Sequence, residues 1–145
     1  MKENKNIKIT DYSSLFRLQI PSDPKFITTA RNFVFNLARD NGFALGDAAD
    51  IKLIVGEAVL NVIKHAYLGR HDKPIFIEIK FFQEKLEIRI RDFGLKSNLA
   101  KIKALDLGDY REQGLGMMLI RKLTDHFYID QSAEIGNKMI MMKLK

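Results

Sequence analysis

Between Pro74 and Asp92 the apolar residues recur at every second position. Ile75, Ile77, Ile79 and Phe81 fall on one side of a strand, a short Gln83-Glu84-Lys85 turn follows, and Leu86, Ile88 and Ile90 fall on one side of the return. A period of two is the period of a pleated strand, so this stretch reads as an antiparallel hairpin with one apolar and one polar face. That pattern constrains the rest of the chain, because a sheet with one apolar face has to bury it under a second layer.

Helices supply the cover. After a polar tail over residues 1–13, Tyr12 to Ile20 reads as a strand stopped by Pro21. Ser22 or Asp23 then caps a helix with Pro24 in its first turn, Phe26, Ile27, Ala30, Phe33, Val34, Leu37 and Ala38 at helical spacing, and Gly42 after its end. A second helix is expected from a cap at Asp47 to Gly69, with Ile51, Ile54, Val55, Ala58, Val62 and Ile63 as its apolar face. Behind the hairpin, residues 95–113 show only a weak helical pattern at Leu99, Ile102 and Leu105, as in a functional lid. Gly114-Leu115-Gly116 opens a third helix, Met117 to Phe127, with Met118, Leu119, Leu123 and Phe127 as its apolar face. Two strands, 127–132 and 138–145, meet at a Gly136-Asn137 turn. The order predicts an α+β two-layer sandwich: a mixed, mostly antiparallel sheet with helices on one face, forming one domain over residues 14–145.

Composition narrows the function. The chain has 145 residues, 46% hydrophobic and 29% charged, with no cysteine, which excludes disulfide scaffolds, thiolate nucleophiles and cysteine-based zinc sites. No apolar run reaches the ~18–20 residues that span a bilayer, and the polar start is unlike a secretion signal, so a cytoplasmic protein without membrane contact is expected. The net charge of +6 comes with only weak basic clusters, Lys2, Lys5 and Lys8 in the tail and Lys138, Lys143 and Lys145 near the other end, while the interior basic residues are mostly interleaved with acids, which favours a polyanionic ligand or a protein partner over nucleic acid.

Three further features are not required by the fold. Glu57 and Asn61 lie at i and i+4 on the second helix and are continued by Lys64 and His65, a polar stripe that either faces water or lines a site. Asp92-Phe93-Gly94 ends a strand, and Gly114-Leu115-Gly116 opens a helix. The N-terminus of a helix offers free N–H groups and a positive dipole end, and glycines let a phosphate come close. Neither a P-loop nor a Rossmann fingerprint is present. Asn61 is a neutral oxygen ligand suited to Mg²⁺, an ion held by few protein oxygens plus phosphates. Glu57 then lies one turn away, placed to orient or deprotonate a nucleophile. Together the features suggest a nucleotide pocket.

The runs GEAVLNVIKHAY, RIRDFG and GLGMMLIRKLTD resemble the N box and the two glycine boxes of the GHKL, or Bergerat-fold, ATPases. The resemblance is to the anti-sigma-factor serine kinases of the RsbW and SpoIIAB type, over residues 14–145. It implies ATP and Mg²⁺ as cofactors, Asn61 as the metal ligand and Glu57 as the general base for a serine hydroxyl. It implies Asp92 as the acceptor for the adenine amino group, with Gly94 keeping the adjoining backbone clear. Gly114, Leu115 and Gly116 correspond to the lid segment that meets the phosphates, and Lys64 and His65 lie near the pocket, His65 weighed against a purely structural role. The sequence departs from the pattern at three places: Leu95 and Lys96 follow the Asp-x-Gly, Glu112 stands where relatives often have an arginine, with Arg111 one residue further away, and Asn137 stands where they often have threonine.

The resemblance therefore implies a serine/threonine kinase that sequesters a sigma factor or similar target and phosphorylates a small STAS-type antagonist. A histidine kinase is not expected, because only a short stretch precedes the first helix. A homodimer through edge pairing of the first strand is compatible with the pattern. The alternative is a partner-switching module of the same fold that binds ATP without transferring phosphate, and a basic nucleic-acid-associated protein is a third, more distant reading.

Overall fold

The computed structural model describes residues 12–98, 100 and 114–145. The expected lid positions Leu99, Ile102, Leu105, Arg111 and Glu112, and residues 1–11 of the tail, lie outside the described residues.

Among the described residues five strands form one sheet: β1 (Ser14–Pro21), β2 (Pro74–Phe81), β3 (Lys85–Asp92), β4 (His126–Asp130) and β5 (Asn137–Leu144), in the order β1-β2-β3-β5-β4. All four pairings are antiparallel, so the mixed sheet allowed for by the sequence is antiparallel throughout its described strands. The hairpin has the expected register, Ile77 opposite Ile90, Ile79 opposite Ile88 and Phe81 opposite Leu86. All of those side chains are buried, together with Met139 and Met141 of β5. On the other face Arg17, Phe76, Glu78, Arg89, Arg91 and Lys138 line an open groove.

The covering layer begins with a short 3₁₀ turn (Pro24–Phe26) and helix α1 (Ile27–Asp40), which buries Ala30, Val34 and Ala38. Asp23 caps the turn by accepting the Lys25 N–H at 3.0 Å. Ser22 does other work: its hydroxyl donates to the Arg70 carbonyl at 2.5 Å and accepts the Lys73 N–H at 3.0 Å, pinning the start of the helical layer to the entry of β2.

Helix α2 (Leu45–Asn61) is buried at Ala48, Ile51, Ile54, Val55, Gly56, Ala58 and Val59. It is apolar on several sides because it packs against α1 and against α3 (Gly114–Leu123) as well as over the sheet. The expected cap is corrected: the N-cap is Ala44, and Asp47 lies inside the first turn, where its carboxylate suits the positive end of the helix. The expected end at Gly69 is also corrected, since α-helical winding stops at Asn61 and a π-helical turn follows over Val62–Ala66. Leu68 (φ 52°) and Gly69 (φ 81°) then turn the chain out of the helix.

Helix α3 ends at Leu123, four residues before the expected Phe127, and buries Met117 and Ile120 rather than Met118 and Leu119. Thr124 closes it by donating to the Ile120 carbonyl at 2.7 Å, and Phe127 lies in β4 opposite Met141. A strand period overtakes the helical one there, a switch that a short apolar run does not reveal on its own.

Candidate functional site

Where the C-terminal end of α2 meets the ends of β3 and β5, a cleft of about 170 Å³ opens. Its wall includes Asn61 and His65 from α2 and the π turn, Asp92 from β3, Leu95 to Asn98, Met117 from α3, and Asn137 and Met139 from β5. Residues from four distant stretches of sequence are thus brought to one place by the sheet order.

Asp92 is the polar centre of the cleft, only 2% exposed. Its Oδ1 accepts the Gly94 N–H at 3.0 Å, the Asn137 N–H at 3.3 Å and the Asn137 side-chain amide at 3.2 Å. Burial raises its pKa above the ordinary carboxylate value, while the N–H donors of Gly94 and Asn137 and the charge of Arg91 pull the other way. Oδ2 meets only the Asn137 amide, at 3.3 Å, among the described residues, which leaves it able to accept a donor from a ligand.

Asn137 is a hub. Its amide also donates to the Leu95 carbonyl at 2.8 Å, and its Oδ1 accepts the Ser97 N–H at 2.8 Å and the Gln131 amide at 3.1 Å. Gln131 in turn donates to the Ser97 carbonyl at 2.8 Å, and Lys96 Nζ reaches the carbonyls of Gln131 (2.8 Å) and Ala133 (2.5 Å). The departures at Lys96 and Asn137 therefore act together: they hold the first residues after the Asp-x-Gly down against the β4–β5 connection.

The two glycines beside Asp92 are needed for close approach. A Cβ on Gly94 would collide with the Ala66 carbonyl, and one on Gly136, at φ 77°, with the carbonyl of Asp92 itself. Gly94 thus clears space for the end of the α2 segment.

At the other end of the cleft, Asn61 donates its amide to Met117 Sδ at 2.7 Å, and its Oδ1 accepts no hydrogen bond from the described residues. That free oxygen fits a hard cation. Among the described residues no group of three or more His, Asp or Glu side chains gathers as a metal cage. Glu57, one turn before Asn61, lies against the first turn of α3, its carboxylate where a Cβ on Gly116 would be. Among the described residues nothing lies within 4 Å of a Cβ on Gly114 (φ 74°), and Leu115 is exposed. Lys64 is exposed and stands outside the cleft wall, whereas the exposed His65 lies in it.

The reading of the sequence missed Tyr67, Ser97 and Gln131. Tyr67 is 5% exposed, its hydroxyl donating to the Pro74 carbonyl at 2.6 Å and accepting the Phe93 N–H at 2.8 Å. Its place directly after Lys64-His65-Ala66 was the available signal.

The description of the histidine kinase-like ATPase domain matches residues 20–143. The chain belongs to that family. Among curated members of the histidine kinase-like ATPases, the serine-protein kinase RsbW of Listeria monocytogenes (strain EGD-e) is 32% identical over 128 residues, 81% of this chain and 82% of the relative. The serine-protein kinase RsbW of Oceanobacillus iheyensis is 31% identical over 134 residues, 86% of this chain and 82% of the relative. The fold agrees with the RsbU and RsbW domains of a Mycobacterium tuberculosis protein, at TM-score 0.66 and 16% identity over 91% of this chain and 32% of that longer one. It also agrees with a chain of the SiaB–SiaC complex from Pseudomonas aeruginosa, at TM-score 0.60 and 14% identity over 93% and 90%. A histidine kinase-like ATPase domain uses ATP. Among the described residues no helix is long and apolar enough to cross a membrane.

Proposed function

We infer that this protein is a cytoplasmic, ATP- and Mg²⁺-dependent serine/threonine kinase of the anti-sigma-factor type, which holds a sigma factor or similar target and phosphorylates a small STAS-type antagonist. The observation that carries this reading is the placement of three side chains from the resemblance: Asp92 and Asn61 in one cleft, and Glu57 one helical turn from Asn61 against the start of α3. The RsbW relatives named as serine-protein kinases support it.

Bound Mg-ATP supplies the γ-phosphoryl group. Asp92, held by Gly94 and Asn137, accepts a hydrogen bond from the base amino group and fixes which end of the cleft the base occupies. Asn61 offers its free Oδ1 to the metal. Glu57 would take the proton of the incoming serine or threonine hydroxyl as its oxygen bonds to the γ-phosphorus and ADP leaves, and the N–H groups at the start of α3 would meet the phosphates. Catalysis of this kind rests on positioning and charge neutralisation.

The test separates binding from transfer. Glu57→Gln should keep ATP affinity within about twofold and slow phosphorylation of a STAS-domain antagonist by about 10²-fold or more, measured by label transfer from γ-labelled ATP. Asn61→Ala should abolish the Mg²⁺ dependence of binding. A Glu57→Gln protein that phosphorylates the antagonist at the unmutated rate removes the general-base assignment.

A further inference from the structure

We propose that the hydroxyl of Tyr67 is the positioning group that sets base selectivity in the nucleotide site. The proposal rests on the assignment of Asp92 to the base end and adds a residue that neither the glycine boxes nor the polar stripe contains.

Three consecutive residues after Asp92 are fixed by two consecutive residues at the end of the α2 segment. Phe93 gives its N–H to the Tyr67 hydroxyl at 2.8 Å, Gly94 leaves no room for a Cβ beside the Ala66 carbonyl, and Leu95 gives its N–H to that same carbonyl at 2.9 Å. The π turn makes this geometry available. Tyr67 N–H bonds to the Val62 carbonyl and Gly69 N–H to the Ile63 carbonyl, and the chain then leaves through positive φ at Leu68 and Gly69, so the Ala66 carbonyl serves the Asp92 loop instead of a continuing helix.

Tyr67 is locked from its other side as well, donating to the Pro74 carbonyl at the start of β2. A buried hydroxyl that both donates and accepts has its proton direction settled, so the Phe93 N–H meets a fixed lone pair. Phe93 is the neighbour of Asp92, so the Tyr67 bond fixes the backbone from which the Asp92 carboxylate projects, while Asn137 holds the carboxylate itself. Discrimination by a hydrogen-bonding site depends on such restraint, because a carboxylate that can swing away from a mismatched base loses its power to reject it. Inosine triphosphate is the informative mismatch, since it presents an oxygen acceptor to Asp92 where adenine presents an amino donor.

Tyr67→Phe removes one oxygen and keeps the ring. The unmutated protein should bind ATP at least about tenfold more tightly than inosine triphosphate, and Tyr67→Phe should shrink that ratio by about five- to tenfold, the effect of one lost restraint on a buried polar contact. The rate constant for transfer at saturating ATP should stay within about twofold, since Glu57 and Asn61 are untouched. A merely structural role predicts a lower melting temperature with the ratio unchanged, and that result overturns the proposal. Loss of selectivity in the unmutated protein would instead overturn the assignment of Asp92, a failure visible before any variant is made. Should Tyr67→Phe not fold, amide hydrogen exchange on the unmutated protein decides. At equal saturation ATP should slow exchange at Phe93 more than inosine triphosphate does, and equal slowing counts against Tyr67.

Discussion

Asp92 concentrates the electrostatics of the cleft in one residue. Burial is the largest influence on its pKa and raises it, so the folded protein holds this proton at pH values where the unfolded chain has already released it. The sign for stability follows directly: its contribution is full below the ordinary carboxylate pKa and is lost as pH rises through the raised folded value. A ligand amino group favours the ionised form, so ATP affinity should climb with pH across the same window and level off above it. Titration of the Asp92 side chain by carbon-detected NMR, with and without ATP, checks both statements; a pKa at or below the unperturbed value contradicts them. At this scale the sequence was legible where a short motif names the residue, as with Asp92, Gly94 and Asn61. It was not legible for Tyr67, Ser97 or Gln131, whose partners lie 26, 40 and 34 residues away and become neighbours only through strand pairing.

Among the elements, α2 does the most. Its buried faces hold the domain together, and its last residue and the π turn after it bring Asn61, His65 and Ala66 to the cleft. The periodicity of apolar residues revealed this helix but not its end, because a π turn has nearly the same apolar spacing as the α-helix it follows. The polar stripe was informative for a different reason: Glu57 and Asn61 are positions that a helix packed on several sides leaves partly open. Helix α3 is coupled to this stripe through Gly116. An alanine there would meet the far end of the Glu57 side chain, which can swing away at small cost. Gly116→Ala should therefore lower the melting temperature by no more than about 2 °C, a few tenths of a kcal/mol, while slowing phosphoryl transfer by about tenfold or more. Thermal melts and label transfer on the same preparation test the pair of outcomes, and transfer at the unmutated rate would show that Glu57 does not depend on this contact.

For the molecule as a whole, nucleotide and fold should report on each other. A ligand present at about 100 times its dissociation constant adds ~2.7 kcal/mol of stability, a few degrees in a domain of this size. Mg-ATP should produce such a shift in the unmutated protein, ATP with EDTA a smaller one, and Asp92→Asn none, as measured by differential scanning fluorimetry. An absent shift at millimolar ATP in the unmutated protein would leave the chain a protein-binding module. The two-layer architecture was readable from the hairpin alone, since one apolar face demands one covering layer. Strand order was not, because nothing in local patterning says that β5 enters between β3 and β4.

That insertion has a consequence for the newborn chain. Synthesis delivers β3 long before β5, so the edge of β3 stays bare until the last strand of the domain has emerged, and bare edges invite pairing with other chains. Asn137, the first residue of β5, donates to Asp92 and accepts the Ser97 N–H, so this end of the cleft is finished at the same late moment. A nucleotide that needs these contacts stabilises the completed domain and gives no help to a chain whose β5 has yet to pair.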